Sequence, residues 1–223
     1  MKDLTIVIPA YNEEKRIGKT LKSIKSNFQD SEVIVVSNGS KDKTVEVVGN
    51  FCKGDKKFKL LEFNEKLGKG GAVLEGLRKA NTKFVGFLDA DDAFDLNEIK
   101  KMIKHLNNYD GVIASKWKGQ NLFNVNEPFV RKLLSRVWNS LVKGLFGLKF
   151  RDTQAGAKFF RKEVLDLDDF VCKDFSFDIE LLYRLKKFKV KEFYIPSKFQ
   201  IGSKFSYKHI ISMLKNMVKL KLR

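Results

Sequence analysis

The sequence predicts an α/β fold, a mostly parallel sheet with helices on both faces. Short runs of β-branched and apolar residues recur through the first half of the chain, and amphipathic helical stretches separate them. The runs are apolar almost throughout and do not alternate, as expected of strands buried on both faces. Right-handed crossovers follow for parallel neighbours. Ligands of such sheets bind beyond the carboxyl ends of the strands.

Residues 4–8, Leu-Thr-Ile-Val-Ile, are the first strand, and Tyr11-Asn12-Glu13-Glu14 opens a helix with Ile17, Leu21 and Ile24 on one face. Residues 32–36 are the second strand. Ser40 to Lys43 leads into a helix carrying Val45, Val48 and Phe51. A third strand covers 58–63, and Gly68-Lys69-Gly70-Gly71 precedes a helix running through Leu77. A fourth strand covers 84–88, a helix follows from Leu96 to Leu106, and Val112-Ile113-Ala114 is the fifth strand. In the second half, Val130, Leu133, Leu134, Val137, Trp138, Leu141, Val142, Leu145 and Phe146 form a stripe with helical period over 129–146. Periodicity favours packing of that stripe on the sheet; its basic flank also suits a membrane interface. Another helix begins near Asp178. The last helical pattern holds Ile210, Leu214, Met217 and Val218. Two units result: a catalytic domain over 1–202 and a basic amphipathic segment over 203–223.

With 223 residues the chain can bury a sizeable core. Its 44 Lys+Arg against 27 Asp+Glu give a net charge of +17, which favours polyanionic partners. No acidic residue follows Glu192. Two cysteines, Cys52 and Cys172, make neither a disulfide framework nor a zinc site. A strand pattern begins at Leu4, leaving no room for a signal peptide, and no apolar run approaches a bilayer span.

The only histidines, His105 and His209, lie away from strand ends and are read as surface or packing residues, which removes histidine triads and histidine metal sites. The chemistry then rests on carboxylates, and hard oxygen ligands point to Mg²⁺ or Mn²⁺. Asp89-Ala90-Asp91 directly follows the fourth strand, where carboxylates two apart can converge on one cation bridging a diphosphate. The bland alternative is a helix cap, a role for which Asp95 is better placed. Gly68-Lys69-Gly70-Gly71 has the look of a phosphate-cradling turn, or of a plain turn; it lacks P-loop spacing.

Ile8-Pro9-Ala10-Tyr11-Asn12-Glu13-Glu14, the segment from Val36 to Thr44, and Asp89-Ala90-Asp91 resemble the ordered motifs of family 2 glycosyltransferases. The segments 152–160 and 177–182, with Gly202-Ser203-Lys204, are similar to the dolichyl-phosphate glucosyltransferase and mannosyltransferase branch. The resemblance implies a glycosyltransferase-A fold and inverting transfer of a hexose from a UDP- or GDP-sugar to a polyprenyl (dolichyl) phosphate. It implies that Pro9, Tyr11, Glu13, Asn38, Lys69, Asp89 and Ala90 hold the donor, and that Asp89 and Asp91 hold the metal. Asp178, Glu180, Asp152 and Gln154 would stand near the reacting sugar. Lys116, Arg131, Ser135, Ser203 and Lys204 would face the acceptor phosphate. Ser37-Asn38 stands where relatives carry two aspartates, and Ala93 stands where mannosyl relatives carry Gln.

An anionic lipid acceptor accords with the basic tail, whose cations each contribute on the order of 1 kcal/mol at an anionic leaflet. Peripheral attachment to the cytoplasmic face of the cell membrane is the expectation. A nucleotidyltransferase would want a glycine-rich basic loop after the first strand, where this chain has Pro9 to Glu13. A nucleic-acid-binding module, though it would explain +17, leaves acidic strand ends unexplained.

Overall fold

The computed structural model describes residues 2–121, 123–125, 127–198 and 207–222. The first half is built as the sequence predicts. Strands β1 (Leu4–Ala10), β2 (Glu32–Asn38), β3 (Phe58–Phe63), β4 (Phe84–Leu88) and β5 (Gly111–Ser115) alternate with helices α1 (Ile17–Asn27), α2 (Thr44–Gly54), α3 (Gly68–Lys79) and α4 (Leu96–Lys104). Helix α5 (Phe129–Phe146) then leads to β6 (Ala157–Arg161), α6 (Phe177–Arg184), β7 (Val190–Tyr194) and α7 (Tyr207–Lys221). Asp95 does cap α4, accepting from Asn97 N at 2.8 Å.

The sheet order is β3-β2-β1-β4-β6-β5-β7. All pairings are parallel except those of β6, which is antiparallel to both β4 and β5. Strands β6 and β7 were not legible as strands: each is short and carries a lysine at its second position, Lys158 and Lys191. Lys158 is fully buried, an outcome an apolar pattern does not announce. Two core layers flank the sheet. One packs Ile17, Leu21, Ile24 and Ile99 of α1 and α4 on Ile6, Ile8 and Val35. The other packs α3 and α6 on Val7, Val36 and Phe87.

The two C-terminal amphipathic helices divide their apolar residues between core and solvent. On α5, Val142 and Phe146 are buried, while Val130, Leu133, Leu134, Val137, Leu141 and Leu145 are exposed. Packing of the whole stripe on the sheet is therefore not observed. On α7, Met213, Met217 and Leu220 enter the second core layer, leaving Ile211, Leu214 and Val218 outside. The tail helix thus packs on the domain through methionine and leucine positions. Lys221 Nζ donates to Leu145 O at 2.9 Å, so the C-terminal ends of the two helices adjoin. Among the described residues no helix is long and apolar enough to cross a membrane.

Candidate active site

A cleft of about 450 Å³ opens beyond the carboxyl ends of β1, β2 and β4, where a parallel sheet places its ligands. One end is walled by Pro9, Tyr11, Glu13 and Asn38. The loops after β1 and β2 are stitched together there. Asn12 takes a left-handed turn (φ 52°), its Oδ1 accepts from Lys41 N at 2.8 Å, and its own N–H donates to Ser40 Oγ. Asparagine tolerates that backbone better than most residues. Glu13 is clamped by Arg16 through two bonds of 2.7 and 2.8 Å, and its backbone N–H donates to Thr44 Oγ1 at 2.8 Å. Lys66 stands 4.1 Å over the Tyr11 ring. Asn38 Oδ1 accepts from Leu67 N at 2.6 Å.

Asp89 and Asp91 follow β4 at the centre of the cleft floor, with Ala90 between them. Burial, and then the neighbouring Asp89 charge, raise the pKa of Asp91. Two carboxylates pressed together in this way call for a cation. Here the Lys69 ammonium supplies one, 2.8 Å from Asp89 Oδ1 and 3.1 Å from Oδ2. Burial alone would lower the Lys69 pKa, but Asp89 and Asp178 outweigh it and raise it. Among the described residues no group of three or more acidic, His or Cys side chains is arranged to hold a metal ion. The pair fits a Mg²⁺ or Mn²⁺ ion nonetheless, since such ions take one or two carboxylates and complete their shell with phosphate oxygens and water.

The glycine-rich segment has a different role from the phosphate cradle its sequence suggests. It lies within α3, and its exposed-looking N–H groups are already used: Gly70 donates to Asp174 O at 3.3 Å and Gly71 to Lys173 O at 2.9 Å. A Cβ on Gly70 would come 2.3 Å from Phe177 Cβ. The glycines let α3 approach the 173–177 segment, and of the four residues Gly68 and Lys69 line the cleft.

Asp178 is not on the cleft wall. It is 1% exposed, held by Lys158 Nζ at 2.5 Å, and its second oxygen lies 3.8 Å from Lys69 Nζ. Its effect on the cleft passes through Lys69. Glu180 is further from the chemistry: it is fully buried, accepts from the backbone N–H groups of Val171 and Cys172 and pairs with Arg184 at 2.9 Å. Two residues apart on a helix means about 200° around it, so Glu180 points away from the Lys69 and Lys158 side that Asp178 faces. Asp152 and Gln154 do line the cleft. Asp152 accepts from Lys116 N at 3.2 Å, and burial raises its pKa against the pull of Lys116 and Lys158. Gln154 Nε2 donates to Phe175 O at 2.9 Å.

Lys116 and Arg131 reach the far end of the cleft. Ser135 lies off its wall and accepts from Trp117 Nε1 at 3.1 Å, tying α5 to the loop after β5. Ser203 and Lys204 lie outside the described residues. The cleft wall also holds Asp174, Phe175, Lys198 and His209, which no strand-end argument finds. His209 was expected to be remote; α7 brings it to the cleft, its ring 4.8 Å from that of Phe175. His105 does pack as expected, its ring 4.7 Å from that of Phe193.

Residues 5–167 match the family described as Glycosyl transferase family 2. The chain belongs to that family. It is accordingly a glycosyltransferase. A dolichyl-phosphate beta-glucosyltransferase of Trichomonas vaginalis is 32% identical over 97% of this chain and 72% of its own length. The dolichyl-phosphate beta-glucosyltransferase of Homo sapiens is 30% identical over 85% of this chain; the match spans 64% of that protein, just under two thirds. Among solved structures, glucosyl-3-phosphoglycerate synthase from Mycobacterium tuberculosis with uridine diphosphate superposes with a TM-score of 0.75 at 17% identity, covering 99% of this chain and 79% of that one. That likeness shows the glycosyltransferase-A fold. The same enzyme with Mn²⁺ and uridine diphosphate gives a TM-score of 0.69.

Proposed function

We propose that this glycosyltransferase moves glucose from a uridine-diphosphate sugar to a polyprenyl phosphate of the dolichyl type, with inversion, at a membrane surface. The observation that carries the reading is one cleft with acid at its centre and cations at its far end: Asp89 and Asp91 beside the donor wall, Lys116 and Arg131 beyond them. Glucosyl relatives at about 30% identity over most of the chain favour glucose and a lipid phosphate. Asp89 and Asp91 would hold the divalent metal, which when bound neutralises charge on the leaving diphosphate.

The chain's own groups have limited work to do. A phosphate monoester with a second pKa near 6 arrives largely ionised, so no obligatory general base is needed. Lys116 and Arg131 would orient that phosphate. Asp152 and Gln154, fixed by backbone partners, would line the sugar between donor and acceptor. Lys69 would exchange Asp89 for the donor diphosphate, with Asp178 behind it fixing its stem. The exposed apolar residues of α5 and α7, flanked by lysines, suit attachment in the membrane interface.

The test is transfer of labelled glucose from UDP-glucose with Mg²⁺ or Mn²⁺ to a short prenyl phosphate, read in the organic phase, beside GDP-mannose and dTDP-glucose. No transfer to any prenyl phosphate while a soluble glycan is glucosylated would refute the acceptor. Flotation with anionic vesicles checks attachment, which is refuted if Leu133→Asp with Val137→Asp floats as well as the wild type.

A further inference from the structure

The cationic end of the cleft already holds an anion of the chain itself. Glu127, in the loop between β5 and α5, puts Oε1 2.7 Å from Lys116 Nζ and Oε2 3.8 Å from Arg131 Nε. Its side chain is only 6% exposed, and Oε2 is buried without a hydrogen-bond partner. Among the described residues the carboxylate meets only those two cations. A buried carboxylate fixed for structural ends collects backbone N–H groups, as Glu180 does here. Glu127 instead leaves one oxygen unsatisfied, at a cost that a relocation to water would recover.

We propose that Glu127 is a resident competitor for the acceptor: its carboxylate occupies Lys116 and Arg131 until a phosphate monoester displaces it. This rests on the acceptor reading above. A phosphate brings more charge and three acceptor oxygens to the same two cations, and Arg favours it through its fork of donors. A neutral hydroxyl compound brings no charge with which to displace a carboxylate, so the cradle opens to phosphates and stays shut to sugars. The residue thus sets acceptor affinity and class without taking part in the transfer itself. The loop can yield locally: Gly119 (φ +71°) has open space around it, and Phe123, four residues before Glu127, is 87% exposed.

The experiment compares the full chain with its Glu127→Gln and Glu127→Ala variants. Binding of a fifteen-carbon prenyl monophosphate and of inorganic phosphate is measured by calorimetry, and steady-state KM and kcat by glucose transfer. Removing one like charge beside a dianion gives about tenfold tighter binding even at water-like screening. Both variants should bind both phosphates more tightly and show a lower acceptor KM, with KM for UDP-glucose unchanged. A merely structural Glu127 predicts the opposite, weaker phosphate binding as Lys116 loses its partner, and that result overturns the proposal; so does equal affinity. Should the wild type transfer glucose to the prenyl phosphate while the variants bind it no better, only this inference fails. Should the wild type neither bind nor glucosylate it, the acceptor reading fails and takes the inference with it.

Discussion

Gly156 is the residue whose replacement most directly tests the metal pair. It sits just before β6, where its carbonyl accepts from Asp89 N at 2.9 Å. A Cβ added there would lie 2.0 Å from Asp89 Oδ2, 2.4 Å from its Cγ and 2.9 Å from its Cβ. Rotating the carboxylate about its last bond does not relieve this, because Cγ and Cβ are struck as well. Moving Oδ2 from 2.0 Å to the 3.4 Å at which ordinary contact begins requires a shift of about 1.4 Å. Misplacing a catalytic group by 1 Å costs roughly 10²-fold. Gly156→Ala should therefore lower kcat/KM for UDP-glucose at least ~100-fold, or about 2.7 kcal/mol of transition-state stabilisation. The assay is initial-rate glucose transfer, with Mn²⁺ binding in the presence of UDP followed by electron paramagnetic resonance, and a thermal melt to show the fold intact. A variant within threefold of wild type in kcat/KM, with Mn²⁺ binding unchanged, would refute the placement of Asp89 as a metal ligand.

Asp91→Ala and Asp178→Asn should dissociate. The first abolishes transfer but keeps or raises the melting temperature, because ionised Asp91 is penalised by burial and by Asp89. The second leaves measurable transfer but lowers stability by about 3 kcal/mol, since Lys158 loses its buried partner; equal residual activity in the two variants would contradict this. For Asp152, burial holds the folded pKa above the unfolded value near 3.8. Its contribution to stability is thus greatest in acid and is lost as pH rises from about 3.8 through the folded pKa. Asp152→Asn should melt higher than wild type at pH 7, with the gap closing below pH 4; a gap independent of pH refutes the burial argument. Glu180→Gln should destabilise by about 3 kcal/mol in urea melts without changing KM for either substrate, because the residue braces the 171–172 turn and Arg184 and nothing in the cleft.

Much of this site was legible because a parallel sheet fixes where strand ends converge. The apolar run of β4 located Asp89, the family resemblance supplied Pro9 and Asn38, and one cleft joins the three. What the sequence hid has physical causes. Strand β6 reads as broken because Lys158 interrupts it, yet the lysine is buried against Asp178. Glu180 looked catalytic from its proximity to Asp178, but helical geometry turns it away. The glycines of 68–71 looked like a phosphate turn or a plain turn; close approach to Lys173 at Gly68 and to Phe177 at Gly70 requires them in the structure. Asp174 and His209 join the cleft through tertiary packing of α6 and α7, which no local pattern records. Glu127 carries no motif, and only its place between Lys116 and Arg131 distinguishes it.

The position of β6 has a consequence for synthesis. Everything on the donor side, through β5 at Ser115, leaves the ribosome before Ala157–Arg161 exists. At 5–20 residues per second the interval is a few seconds, roughly two to nine. Throughout it β4 keeps one unpaired edge and β5 lacks both of its partners, β6 and β7, and such edges recruit other strands. Asp89 meanwhile lacks the Gly156 carbonyl that later holds its N–H. The nascent chain thus carries an open strand edge beside Asp89. The arrival of one five-residue strand joins β4 to β5 and fixes Asp89 at the same moment.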